Sequence, residues 1–305
     1  MSTQAQVIPV KRDYKSRMFK LIFDDKKKLL ALYNAVSGKK YTNPELLTIN
    51  TLENAIYMSM QNDISFIIDS RLSLYEHQST YNPNMALRFL FYLSDLYSDI
   101  TKDQNLYGSK RVSVPTPRFV VFYNGRDKRP DYEVLKLSDL YTVDDEEYAL
   151  ELTVDVININ KGHNTKLMDA CKDLCDYAEY TYRVRKYAEN MTIEEAVDKS
   201  IIECTQEGIL KDFLLKHRTE ARAMSIYEYN QEEHMRMERE DAFEDGWKEG
   251  HKEGIETGQK LGQEAERTKI FELINKMTAD GMEAQISRLG TEPAFYEEML
   301  EKYGL

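Results

Sequence analysis

Residues 62–78, NDISFIIDSRLSLYEHQ, run apolar through β-branched positions, break at Asp69-Ser70, and resume through Leu72, Leu74 and Tyr75. Two such runs around a tight turn predict a β-hairpin. Residues i and i+2 of a strand share a face, so Glu76 and Gln78 point the same way, and Asp63 at the mouth of the first strand can face them. His77 should point its side chain away and pack. Upstream, Met18, Phe19, Ile22, Leu29, Leu30, Tyr33 and Val36 recur at spacings near three and four. They predict two helical stretches interrupted around Asp24 and Asp25 and ending at Gly38. Downstream, Asn82-Pro83-Asn84 punctuates the chain before an apolar helical stripe through Met85, Phe89, Tyr92 and Leu96. RFVVFYNG (118–125) reads as a buried central strand, and residues 147–162 as one or two more. Helix, hairpin, helix and strand in this order predict an α/β fold, whose sites gather at strand ends.

Beyond 164 the period is helical. Residues 167–190 form one long candidate, 192–208 a second opened by the capping-box spacing of Thr192 and Glu195, and 209–221 a third. Glycines 246, 250, 254, 258 and 262 then fall every fourth residue in a charged run. Each costs a helix about 1 kcal/mol relative to alanine, so an isolated helix here is expected to be marginal. The stripe suits a self-association or protein-contact arm, with a partly disordered linker as the alternative. Its Lys and Glu neighbours exclude a membrane reading. It is not a phosphate loop either, because no Gly-Lys-Ser/Thr follows a strand. The expected organisation is a core over 1–165, a helical extension over 166–240, and a glycine-periodic tail over 241–305.

Composition adds charge asymmetry to this picture. The 305 residues are 42% hydrophobic with a formal net charge of −12. Residues 1–130 nevertheless hold 19 Lys and Arg against 12 Asp and Glu. A basic N-terminal half and an acidic remainder are compatible with a phosphate-binding domain and a separate solubilising or partner-binding tail, and equally with an unevenly charged solvated surface. No run approaches the roughly 20 apolar residues of a membrane span, and the N-terminal residues do not read as a signal peptide. Three cysteines, Cys171, Cys175 and Cys204, are expected to be free thiols in a reducing cytoplasm. No second Cys or His pair joins Cys171 and Cys175 in a metal site.

Asp63 and Glu76 offer the hard oxygens that Mg²⁺ prefers, with the His77 backbone carbonyl as a further donor and Mn²⁺ as an alternative ion. Gln78 can position water or a phosphate oxygen through its amide but cannot act as a cation or a base. Taken alone, the spacing is more commonly that of turn formers and solvated strand edges.

The chain resembles the recombination-promoting nuclease and putative transposase family, a branch of the PD-(D/E)XK nuclease superfamily. The likeness is carried by RMFKLIF (17–23), residues 32–69, LYEHQSTYNPNMALRFLFYLSDLY (74–97), PTPRFVVFYNG (115–125), NINKGHN (158–164), FLLKHRTEA (213–221), EYNQEEHM (228–235) and the glycine-periodic tail. The resemblance implies a restriction-endonuclease-like α/β core with a mixed central sheet flanked by helices, followed by a helical C-terminal region. It implies Mg²⁺-dependent attack on DNA, with Asp63 matching the family's central aspartate, Glu76 the glutamate of its E-x-K/Q element, and Gln78 the K/Q place. It also sets Lys20 and the first helix near the cleft. Many members carry an acidic residue three positions before the Phe of that helix, where this chain has Ser16.

Lys11, Arg12, Lys15, Arg17 and Lys20 are the expected phosphate-contacting patch, with Lys102, Lys110, Arg111 and Arg118 as a second. Arg88 is a candidate for the scissile phosphate, or for a salt bridge that fixes its helix. Tyr81 and Asn82 either shape the pocket or build the turn. The function these expectations give is a DNA endonuclease linked to recombination or mobile elements and acting as a dimer or other self-associated form. The alternative is an inactive nuclease-fold protein that binds DNA or a protein partner. An RNA substrate stays open as well.

Overall fold

The computed structural model describes residues 17–49 and 63–305. Their strands form one mixed sheet in the order β1-β2-β3-β4-β6-β5. The strands are β1 (Thr48–Ile49), β2 (Ile64–Ile68), β3 (Arg71–Gln78), β4 (Thr116–Tyr123), β5 (Tyr132–Lys136) and β6 (Thr153–Asn158). β1, β2 and β3 form an antiparallel meander. β3, β4 and β6 run parallel, and β5 closes the far edge antiparallel to β6. An α/β fold with helices on both faces of a mixed sheet, followed by a helical C-terminal region, is therefore the architecture.

Strand alternation divides the core. Leu72 and Leu74 of β3, with Val121 of β4 and Val154 of β6, pack under Phe89 and Leu96 of α3 (Met85–Thr101). The opposite face carries Phe66, Tyr75 and Phe122 against α1 (Arg17–Phe23), α2 (Lys26–Ser37), α4 (Thr165–Ala170), α5 (Lys172–Ala188), α6 (Ile193–Glu207) and α7 (Lys211–Lys216). Helix ends follow local chemistry. Asp25 accepts hydrogen bonds from the Lys27 and Lys28 amides and opens α2 after the break at Asp24. Thr192 and Glu195 close a reciprocal capping box on α6.

Two expectations change, and a third, the choice between a helix and a partly disordered linker in the glycine stripe, falls to the helix. The single helix over 167–190 is divided at Cys171, whose extended backbone turns Met168, Cys171 and Leu174 into one core. The helix over 209–221 breaks at His217, after which α8 (Arg218–Ala279) begins. α8 then continues unbroken through every glycine of the stripe, where the composition predicts a marginal helix. Buried Ala221 and Met224 near its start and Leu273 and Met277 near its end hold it in two different cores, and exposed pairs such as Glu244–Lys248 (2.8 Å) support it between them. Within 147–162 a single strand forms. β5 is an element that the apolar pattern did not announce, because only Leu135 of it is buried.

The chain divides into two compact units, Met1–Met235 and Arg236–Leu305. In the second, Leu273 and Met277 pack on Phe295 and Met299 of α9 (Pro293–Tyr303). Lys276 Nζ donates to the Tyr303 carbonyl at 3.0 Å. Among the described residues no helix is long and apolar enough to cross a membrane.

Two glycines separate structural need from tolerance. A Cβ on Gly125, at the end of β4, would collide with the Ser79 carbonyl and the Tyr123 ring, whereas one on Gly250 meets nothing within 4 Å. Gly125→Ala is expected to destabilise the fold by about 1–3 kcal/mol, and Gly250→Ala to stabilise its helix by about 0.5–1 kcal/mol. Thermal denaturation followed by circular dichroism checks both, and equal shifts of the same sign would contradict this reading.

Candidate functional site

The turn at Asp69 and Ser70, both at positive φ, sets the hairpin register so that Ile64 pairs with Tyr75. Asp63, one residue before β2, consequently lies opposite Glu76. The Asp63 amide donates to Glu76 Oε2 at 3.3 Å, and the His77 amide donates to Asp63 Oδ2 at 2.7 Å. All three residues and Gln78 are buried, with Glu76 only 5% exposed. Burial raises the Glu76 carboxyl well above its ordinary value, and the charge of Asp63 raises it further. Arg88 of α3 opposes both through a 2.6 Å ion pair from Nη2 to Glu76 Oε1. The same guanidinium donates to the Tyr92 hydroxyl through Nε (3.2 Å) and Nη2 (2.7 Å).

Gln78 shares the α3 face with Glu76, and its amide nitrogen lies 2.6 Å from Met85 Sδ. His77 faces the other way. Its ring stacks on Phe19 at 5.1 Å, and Nε2 lies 3.0 Å from the Tyr177 hydroxyl. Burial, helped by the nearby charge of Arg185, pushes the imidazole down to about 3. It is a neutral packing residue at physiological pH, not an acid or base.

Beside Asp63 the strand ends of β3, β4 and β6 carry a second polar group that the sequence reading missed. Arg185 of α5 donates to the Asn124 side-chain oxygen at 2.7 Å and its carbonyl at 2.5 Å, and lies 3.4 Å from Glu232 Oε2. Asn124 in turn donates its amide to the Gln78 carbonyl at 2.8 Å. Glu228 and Glu232 stand one turn apart on α8, and Oε1 of each is buried with no hydrogen-bond partner among the described residues. Burial raises Glu228 to about 7, with Asp63 and Glu232 adding and Arg185 opposing. The signal for these residues was present as polar positions at helical spacing, Tyr177 with Arg185 and Glu228 with Glu232. Long-range pairing alone makes them neighbours of Asp63.

The phosphate candidates are scattered. Lys110 and Arg111 precede β4, and Arg118 pairs with Ser73 near the start of β3. Thr116 lies level with Arg71 and Val121 level with Glu76, about 16 Å along the strands at ~3.3 Å per residue. The second basic patch is thus at the opposite end of the sheet from Glu76. Lys102 pairs with Asp99 at 3.1 Å. Lys20 follows Phe19 on α1 and is half-buried. Lys11, Arg12, Lys15 and Ser16 lie outside the described residues, and Arg17 opens α1. Tyr81 donates to Glu133 Oε1 at 3.1 Å under the Arg129 guanidinium, and Asn82 accepts the Asn84 amide at 2.9 Å to build the turn. Cys171 and Cys204 are buried thiols raised by burial, while Cys175 is exposed.

Among the described residues no group of three or more His, Cys, Asp or Glu side chains is placed to hold a metal ion. Mg²⁺ keeps several waters and takes only one or two protein carboxylates beside a substrate phosphate. The buried Asp63 and Glu76 pair, already compensated by one guanidinium, meets that lower requirement. Comparison of the chain with protein-family models, curated proteins and solved structures returns no match.

The raised Glu228 carboxyl has a thermodynamic consequence. The folded protein holds this proton more tightly than the unfolded chain, so the stability it contributes is complete below pH 4.5 and is lost as the pH rises through about 7. Glu228→Gln is expected to match the wild type near pH 4.5 and to exceed it by about 2 kcal/mol at pH 8, the partial exposure of the side chain being allowed for. Urea denaturation at the two pH values measures this, and a constant difference between them would refute it.

Proposed function

We propose that the chain is a divalent-metal-dependent DNA endonuclease that hydrolyses phosphodiester bonds in recombination or mobile-element processes. The observation that carries the reading is the buried Asp63 and Glu76 carboxylate pair at the open end of the β2–β3 hairpin. Two hard anionic groups held together out of water favour a cation. Asp63 and Glu76, with the His77 carbonyl, would hold Mg²⁺, or Mn²⁺ in its place. The ion would supply charge stabilisation on the phosphate and a more acidic attacking water.

The chain's own residues have separable tasks in this reading. The His77 amide and the Asp63 amide fix the two carboxylates relative to one another. Arg88, 2.6 Å from Glu76 Oε1, would meet a phosphate oxygen at the site, and Gln78 would orient a neighbour through its amide without taking a proton. DNA and a second copy of the chain are the proposed partners, the latter through the glycine-periodic part of α8. The cytoplasm is the proposed location, in keeping with three free cysteines.

A second reading rests on two contacts, Gln78 to Met85 and Arg88 to Glu76. Both direct site groups to protein partners and suit a nuclease fold kept for DNA binding or protein contact without turnover. Purified wild type, Asp63→Ala and Glu76→Ala incubated with supercoiled and linear DNA in Mg²⁺, Mn²⁺ or EDTA separate the two. The expected outcome is metal-dependent nicking by the wild type that falls at least ~100-fold in either variant. Retention of DNA by all three proteins without cleavage would establish the second reading. Competition with matched RNA decides the sugar.

A further inference from the structure

We propose that Arg88 is a resident counter-cation of the Glu76 carboxylate, which a divalent ion displaces on binding and which is thereby released toward a phosphate. This rests on reading Asp63 and Glu76 as a cation site.

The two oxygens of Glu76 differ in their surroundings. Oε2 is tied to the hairpin by the Asp63 amide, a fixed backbone donor. Oε1 is held by a side chain alone, Arg88 Nη2 at 2.6 Å. A cation approaching the carboxylate therefore competes with a guanidinium for Oε1, not with the backbone. Unlike Glu76, whose side chain is 7% exposed, the Arg88 side chain is 28% exposed. It can leave toward solvent without unpacking the strand.

The groups around Arg88 support two positions for it. Tyr92 Oη accepts from both Nε and Nη2, and the Met85 sulfur lies 3.4 Å from Nη1. The Tyr92 contact to Nε lies near the stem, so it can persist when the tip of the fork swings away from Glu76. Met85 also meets the Gln78 amide nitrogen at 2.6 Å. Departure of Arg88 therefore disturbs the one side chain shared with Gln78. Electrostatics favours coupling as well. A divalent ion on the carboxylates would supply the positive charge that Arg88 now gives to Glu76 Oε1 and would leave the guanidinium for an anion. The chemistry that suits both halves is a divalent cation together with a phosphodiester.

The test measures ion binding, not turnover. Mn²⁺ titrated into the full chain is followed by calorimetry and by electron paramagnetic resonance for the wild type, Arg88→Met, Arg88→Lys and Glu76→Gln. Arg88→Met keeps the apolar stem and removes the competing charge. It is expected to bind Mn²⁺ about tenfold more tightly than the wild type, with Arg88→Lys between the two and Glu76→Gln binding weakly. A short DNA duplex titrated into the Mn²⁺-loaded proteins should bind more weakly to Arg88→Met. Equal Mn²⁺ affinity in wild type and Arg88→Met overturns the displacement while leaving the cation site standing. Absence of Mn²⁺ binding in every protein, with circular dichroism showing each folded, overturns the cation site itself and this inference with it. If Arg88→Met does not fold, Arg88→Lys decides: an unchanged or weakened Mn²⁺ affinity refutes the proposal.

Discussion

The structure depends on a balance of buried charge at the carboxyl ends of its central strands. Asp63, Glu76 and Glu232 are each under one-tenth exposed, Glu228 has an oxygen closed off from solvent, and two guanidiniums, Arg88 and Arg185, answer them from opposite faces of the sheet. The magnitudes show why these two arginines outweigh the many ion pairs of the surface. An exposed pair contributes about 0–1 kcal/mol, whereas removing one partner of a buried pair costs about 3–5 kcal/mol because a charge is left uncompensated. Arg88 and Arg185 therefore oppose the rise that burial imposes on the acids at the strand ends. Arg183 of α5 ties that helix to α6 through Glu207 and bonds Glu179 one turn before it.

Sheet geometry explains why the balance has two sides. Alternation along β3 sends Leu72, Leu74, Glu76 and Gln78 toward α3, and Tyr75 and His77 toward α1 and α5. Leu72 and Leu74 are core and Glu76 and Gln78 are polar, so the α3 face changes from apolar to polar within one strand, while Tyr75 and His77 both pack on the other face. Asp63 stands at the point where the faces meet, bonded to the His77 amide and to Glu76 through its own amide. The parallel run of β3, β4 and β6 then brings Gln78, Asn124 and Asn158 to one edge, where open α/β sheets place their ligands.

Much of this arrangement is legible in the residues themselves. The hairpin, its turn at Asp69-Ser70, the opposite orientation of His77 and the shared face of Glu76 and Gln78 all follow from a period of two and a break in it. The capping box at Thr192 follows from two side chains three residues apart. Neighbours of Asp63 from α5 and α8 do not follow, because no local pattern states that residues more than a hundred positions away will meet it. The end of the sheet at which Lys110 and Arg111 lie was equally hidden, since strand pairing fixes it. Continuity of α8 through its glycines was masked for a different reason. Propensity describes an isolated helix, whereas α8 is held by buried side chains near both of its ends.

Stability alone does not account for the acids at the strand ends. Replacing a buried ion pair by apolar residues of similar volume is often neutral or stabilising by about 1–4 kcal/mol, and the α3 face already supplies Leu72, Leu74 and Phe89 as the pattern to continue. A strand that ended in further apolar residues would pack at least as well as one ending in Glu76 and Gln78. The raised Glu76 carboxyl, and the one oxygen each of Glu228 and Glu232 that has no hydrogen-bond partner among the described residues, are costs of the same kind. In the proposed reading, the cost of polar groups concentrated where the hairpin meets β4, β6 and the helices around them is offset by a bound ligand. A cation between Asp63 and Glu76 would, in that reading, offset part of the cost that burial and the charge of Asp63 impose on the carboxyl, and it would take from Arg88 its partner on Glu76 Oε1.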